Sequence, residues 1–235
     1  MTDNNPPYKI KTISLPLPFK MGRVNCYLIA SGDSFILVDT GMAKNRDDLV
    51  KELESSGCTP GKLKLVIVTH ADPDHAGNCA YLSETYGVRI ALHSAESAAV
   101  ERGDMTLSRK RKNIFKRILM KMFLLFFRLS KSARFQPDIY LDEDSDLSDY
   151  GFDARVVHIP GHSYGSIGIL LSSGELFCGD LLESTKESAL NSIIDDKEVA
   201  NNSIEKLRGL HITTVYPGHG NSFPMKLFLN NHSLP

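Results

Sequence analysis

The sequence predicts an α/β layered fold, on three observations. Short apolar runs alternate with helix-like stretches along most of the chain. One of these runs, "KLVIVT" at Lys64 to Thr69, is unbroken, as in a strand covered on both faces. Polar motifs rich in histidine, aspartate and glycine stand where such runs end, at the rim of a sheet where a rigid base can hold a site.

The elements follow in order. "VNCYLIA", "SGD" and "SFILVD", from Val24 to Asp39, are predicted as strand, turn and strand. Asn45 to Ser56 is predicted as a helix, with Asn45 as its cap, Asp47 and Asp48 in its first turn and Gly57 at its end. "KLVIVT" follows as a strand and leads directly into "HADPDHAGN". Ala76 to Tyr86 is predicted as a helix closed by Gly87, and "VRIAL" as the next strand. In the second half, "ARVVHI" is a strand ending at "PGHS", and "SIGILL", "SSG" and "ELFCGD" form a hairpin. "DKEVANNSIEKLRGL" is a helix and "TTVY" a strand ending at "PGHG".

No Gly- or Ser-rich linker separates the two halves, so one domain is expected over residues 1–235. A hydrophobic content of 42% supports a sizeable core, and a net charge of -1 gives no field favouring nucleic acid. Cys26, Cys58, Cys79 and Cys178 are scattered, which suits neither a zinc ribbon nor a disulfide scaffold. The polar N-terminus lacks the apolar core of a signal peptide, and no run reaches the roughly 18 apolar residues of a membrane span. A cytoplasmic protein is expected.

One segment stands apart, a basic and apolar helical insert at about 105–137. It has no acidic residue and holds 10 of the 27 basic ones, including Arg109, Arg111, Lys116 and Arg128. Ile114, Phe115, Ile118, Leu119, Met122, Leu125, Phe126 and Leu129 recur in it at helical spacing. A packed helix with a solvated basic edge, a substrate lid and a peripheral membrane contact all fit that pattern.

His70, Asp72, Asp74 and His75 fall within six residues just after a strand. Neutral imidazole and carboxylate are ligands for Zn, Fe(II) and Mn(II), and a loop lets several such side chains converge where a straight strand would alternate them. His162 in "IPGHSYGS", Asp180 in "LFCGD" and His219 in "YPGHG" each stand at a further strand end. Four histidines and three carboxylates suffice for two metal ions with a shared carboxylate.

This set resembles the metallo-β-lactamase superfamily over nearly the whole chain. "VNCYLI" and "ILVDTG" are similar to its opening strands, "VTHADPDHAG" to its principal metal motif, and "IPGHSYGS", "LFCGD" and "YPGHG" to its later motifs, in order. The resemblance implies an αβ/βα four-layer sandwich of two mixed sheets with outer helices. It implies that His70, Asp72 and His162 hold a first ion, that Asp74, His75 and His219 hold a second, and that Asp180 bridges. Asp39 in "VDTG" is then a support behind the metal loop. The sequence departs from the usual motif at one place, where Asp72 stands for the second histidine. An added anionic oxygen favours harder ions, so Fe or Mn is expected beside Zn.

These readings lead to a hydrolase. The expected reaction is attack of a metal-bound hydroxide on a small ester, thioester or lactone with an apolar portion, and Asp74 would orient it and relay a proton. Tyr164 and His93 are candidate substrate-binding residues. The partners expected are a small-molecule substrate, no nucleic acid, and a candidate membrane contact or homodimer. The other readings are a mononuclear iron dioxygenase acting on a small persulfide, suggested by Asp72, and a non-catalytic ligand- or membrane-binding member of the fold.

Overall fold

A computed structural model describes residues 8–109 and 129–231. The helix expected from Ile114 onward falls almost entirely outside the described residues. On its flanks are two short 3-10 turns, Met105–Ser108 and Lys131–Ala133.

Two sheets face one another. The first has six strands in chain order, β1 (Lys9–Pro16), β2 (Arg23–Ser31), β3 (Ser34–Val38), β4 (Leu63–Ile67), β5 (Arg89–Leu92) and β6 (Ile139–Tyr140). β1 and β2 pair antiparallel from Lys9↔Ala30 to Pro16↔Arg23, and β2 pairs antiparallel with β3. β3 to β6 run parallel. The second sheet uses β7 (Ala154–His158), β8 (Ile167–Leu171), β9 (Glu175–Gly179), β12 (Thr214–Pro217) and β13 (Phe223–Pro224), ordered β13-β12-β9-β8-β7. β10 (Leu182–Glu183) and β11 (Ala189–Leu190) form a small separate pair.

Strand alternation builds the layers. Tyr27, Ile29, Ile36, Val38, Leu65 and Ile67 of the first sheet meet Val156, Ile167, Ile169 and Phe177 of the second in one buried cluster. Their neighbours Cys26, Leu28, Leu37 and Val66 face the other way. They pack under helices α1 (Arg46–Ser55), α3 (Cys79–Tyr86) and α4 (Ser97–Arg102) through Leu49, Leu53, Leu82 and Val100. On the far side, Val157, Leu170 and Leu176 pack under α5 (Lys197–Arg208) and α6 (Met225–Asn231) through Ile204, Leu207 and Phe228. This is the expected αβ/βα sandwich. Burial of these aliphatic side chains contributes about 1.5–3 kcal/mol each.

Three local details differ from the sequence-based expectation. β1 was not expected, although "KIKTISLP" keeps a buried alternation at Ile13 and Leu15. Asn45 does precede α1, but its side chain makes no capping bond and the entry is a 3-10 turn, Ala43–Asn45. The helix expected from Ala76 to Tyr86 is broken into α2 (Pro73–Ala76) and α3. At the break, Asn78 Nδ2 donates to the carbonyls of Thr40 (2.7 Å) and Met42 (3.0 Å). Gly77 there lies so close to the preceding loop that a Cβ would stand 2.5 Å from Ala43 N. Tertiary backbone contact therefore overrides helical continuity. Gly87 closes α3 in the left-handed conformation, as expected. Among the described residues no helix is long and apolar enough to cross a membrane.

The topology positions the site. β7 and β9 both pair antiparallel with β8, so they point the same way, and β12 is parallel to β9. The carboxyl ends of β7, β9 and β12 thus share one rim, and those of β3 and β4 share another. Ligand sites in α/β sheets collect at such ends.

Candidate metal centre

The two rims bring His70, Asp72, Asp74, His75, His162, Asp180 and His219 into one cluster. Within it, three groups have ligand atoms all within 4.8 Å of one another: His70, Asp72 and His162; His70, His75 and Asp180; Asp74, His75 and His219. Asp180 lies between the flanks, 3.4 Å from His75 Nε2, 3.3 Å from His219 Nε2 and 3.9 Å from His162 Nε2. Asp74 is 3.6 Å from His219 Nε2. Donors sitting about 2.1 Å from one ion lie about 3–3.5 Å apart, so these separations suit a shared cation.

Each histidine is oriented from behind. His75 Nδ1 donates to Asp39 Oδ2 at 2.8 Å, and His219 Nδ1 donates to the Arg23 carbonyl at 2.8 Å. His162 Nδ1 donates to the Ile193 carbonyl at 2.6 Å, and His70 Nδ1 donates to Thr69 Oγ1 at 3.0 Å. Thr69 in turn donates its N–H and its hydroxyl to Asp39. With every Nδ1 engaged by this network, every Nε2 faces the centre, the orientation that metal ligation requires. Asp39 takes a left-handed φ of 62°, uncommon outside glycine, and its carboxylate serves both Thr69 and His75. It touches the loop of the first motif from behind.

The cluster fits a metal ion by its own chemistry. His70 Nε2, His75 Nε2 and Asp180 Oδ1 are buried without a hydrogen-bond partner, a costly state that a cation relieves. Glycine is required at position 218, because a Cβ there would come within 2.2 Å of Asp180 Oδ1 and 2.7 Å of His75 Cε1. Burial opposes the charge on Asp180, yet His219 and His75 hold its carboxyl well below the usual carboxylate range. Burial likewise opposes the charge on His75, but Asp180, Asp39 and Asp74 push its pKa well up. The same contest at His219, between burial and Asp180, ends at about 9.

Two residues of the site were not legible in the sequence. Glu96 is fully buried and accepts from the N–H of Ala71 (2.9 Å), the Ser163 hydroxyl (2.8 Å) and the N–H of Gly165 (2.9 Å). It ties the loop of the first motif to the loop after β7. Arg109 reaches in from the edge of the basic segment and lies 2.5 Å from Asp72 Oδ2 and 2.7 Å from His162 Nε2. Burial opposes the charge on Asp72, but Arg109, His70 and His162 hold its carboxyl well below the usual range. Burial and Arg109 together push His162 down. Glu96 carried one available signal, an acid shortly after a strand; Arg109 was one of ten basic residues spread over positions 109–134.

Of the candidate substrate residues, His93 caps a short 3-10 turn by accepting from Ala95 N–H at 3.2 Å. Its ring stacks on His158, centroids 4.5 Å apart and planes nearly parallel. Tyr164 follows the His162 loop by two residues, and its carbonyl accepts from His158 Nε2 at 2.8 Å. The four cysteines are buried and unpaired, consistent with packing roles.

A sandwich of two mixed sheets with a histidine–carboxylate cluster at its rim defines a metal-site protein of the α/β class. A family model described as the metallo-β-lactamase superfamily matches residues 20–219, and the chain belongs to that superfamily. Its relatives include the beta-lactamase-like protein 2 homolog of Caenorhabditis elegans, 24% identical over 87% of this chain; the chain spans 58% of that protein's length. The human acyl-coenzyme A thioesterase MBLAC2 is 26% identical over 86% of this chain and 74% of its own. Among solved structures, TTHA1623 in a di-iron-bound form superposes with a TM-score of 0.69 at 23% identity, covering 93% of this chain and 98% of that one.

Proposed function

We propose that this chain is a metal-dependent hydrolase of a small ester, thioester or lactone with an apolar portion. The observation that carries it is the set of four histidines whose Nε2 atoms face three carboxylates across spacings suited to a cation. His75, His219, Asp74 and Asp180, with His70, would hold a divalent ion. Such an ion supplies Lewis acidity, which acidifies water and polarises a carbonyl.

The chain's own residues do the rest. Asp74 is the most exposed of the three carboxylates, with 22% of its side chain open, so it is the group placed to accept a proton from water and pass it to a leaving group. Asp39 and Glu96 fix the loops and so fix the geometry, which decides whether the reacting atoms meet. Zn, Fe and Mn all suit imidazole with carboxylate. A thioester is supported by the human relative, itself an acyl-coenzyme A thioesterase.

The test is a panel of esters, acyl thioesters, lactones and phosphodiesters, run on protein whose metal content is measured by elemental analysis. Turnover of a carbonyl substrate in proportion to bound metal is expected. Oxygen uptake with a small persulfide, and no hydrolysis, would instead establish the dioxygenase reading.

A further inference from the structure

Arg109 stands where a first metal ion would stand. Its side chain is only 2% exposed. Nη2 lies 2.5 Å from Asp72 Oδ2 and donates toward His162 Nε2 at 2.7 Å, while Nη1 donates to the His162 carbonyl at 3.2 Å. Two of the three donors in the group of His70, Asp72 and His162 are thereby taken. The residue before it is pinned: the Ser108 carbonyl accepts from Tyr164 N–H at 3.0 Å, on the same loop as His162. His162 Nδ1 is committed to the Ile193 carbonyl, so the lone pair it would give a metal goes to the guanidinium.

A guanidinium has donors and no acceptor, so it cannot be a ligand; it can only replace a cation. Two features point to replacement. Asp72 occupies the place of a histidine in the usual motif, and a carboxylate is the natural partner of a guanidinium where an imidazole is not. One divalent ion plus one guanidinium also matches the charge of the three carboxylates Asp72, Asp74 and Asp180. The remaining donors, around His75, His219 and Asp180, have no such cation against them among the described residues.

We propose that Arg109 is a built-in cation at the first metal position, so that the chain holds one divalent ion tightly and not two. That ion would be held by His75, His219, Asp74 and Asp180, with His70. This rests on the metal-dependent reading above, and it revises the two-ion expectation drawn from the family resemblance. It also explains the odd aspartate of the first motif: Asp72 and Arg109 belong together.

The experiment counts metal equivalents. Full-length protein is stripped with chelator, titrated with Zn(II) and separately Mn(II) by calorimetry, and checked by elemental analysis after gel filtration. Wild type is expected to retain one equivalent. Arg109→Met is expected to retain two, because removing the guanidinium frees Asp72 and His162. Arg109→Lys, which keeps the charge, is expected to stay at one. Two tight equivalents in wild type overturn the proposal, as does an Arg109→Met protein that stays at one. If Arg109→Met fails to fold, the wild-type count and Arg109→Lys decide. Zero equivalents in wild type overturns the metal-dependent reading itself, and this proposal with it.

Discussion

Asp39 carries an unusual burden for one side chain. It holds Thr69 at both backbone and hydroxyl, and it holds the ring of His75, all from a left-handed backbone position. Asp39→Asn keeps the shape but exchanges an acceptor for a donor facing His75. The expected result is a drop in metal affinity of about 10–100-fold in a folded protein, the usual scale for such supporting residues. Chelator competition measures it, and unchanged affinity would show that His75 needs no carboxylate behind it. A second consequence concerns pH in the stripped protein. His219 has its pKa raised to about 9 by Asp180. Its charge stabilises the fold fully below the unfolded imidazole value of about 6.5, and that contribution is lost as pH rises through about 9. Thermal melts of chelator-treated protein should therefore fall between those values, and His219→Gln should flatten the fall. The seven candidate ligands were legible because each stands in a short polar motif after an apolar run. Arg109 and Glu96 were not, because their partners lie 37 and 25 residues away in sequence, at Asp72 and Ala71.

At the scale of elements, local propensity and tertiary contact divide the outcome. The strands β2, β3, β4, β7, β8 and β9 were legible because each is an apolar run with buried alternation or full burial. The break between α2 and α3 was not, since it depends on Gly77 and Asn78 meeting the loop at Thr40 to Ala43. β1 was missed because its outer face is half-open and its composition mixed. Helix α5 offers a clean test of a local signal. Asp196 caps it by accepting from Val199 N–H at 3.2 Å. Asp196→Ala should cost about 1 kcal/mol, a fall in Tm of about 2–4 °C for a chain of this size, with metal content unchanged. A larger loss accompanied by metal release would mean that this cap also shapes the His162 loop, whose Gly161 carbonyl accepts from Asp196 N–H.

For the whole molecule, the two sheets present their ligand-bearing ends to one another, so the site straddles the sandwich. His70, Asp72, Asp74 and His75 come from the first sheet's rim, and His162, Asp180 and His219 from the second's. An ion bound there would link both layers and favour the folded state. At 100-fold excess over its Kd it should stabilise the protein by about 2.7 kcal/mol, seen as a rise in Tm on adding metal to stripped protein. The αβ/βα class was legible in the sequence through order and motif, whereas the meeting of the two rims depends on parallel pairings such as β9 with β12 that no local pattern encodes. The central claim, a metal-dependent hydrolase, is tested most directly by hydrolysis of acyl thioesters and lactones by one preparation in three states: stripped, reloaded, and reloaded as His75→Ala. The account predicts no turnover when stripped, recovery in proportion to metal bound, and none in His75→Ala. Equal turnover with and without metal, or full activity in His75→Ala, would contradict it.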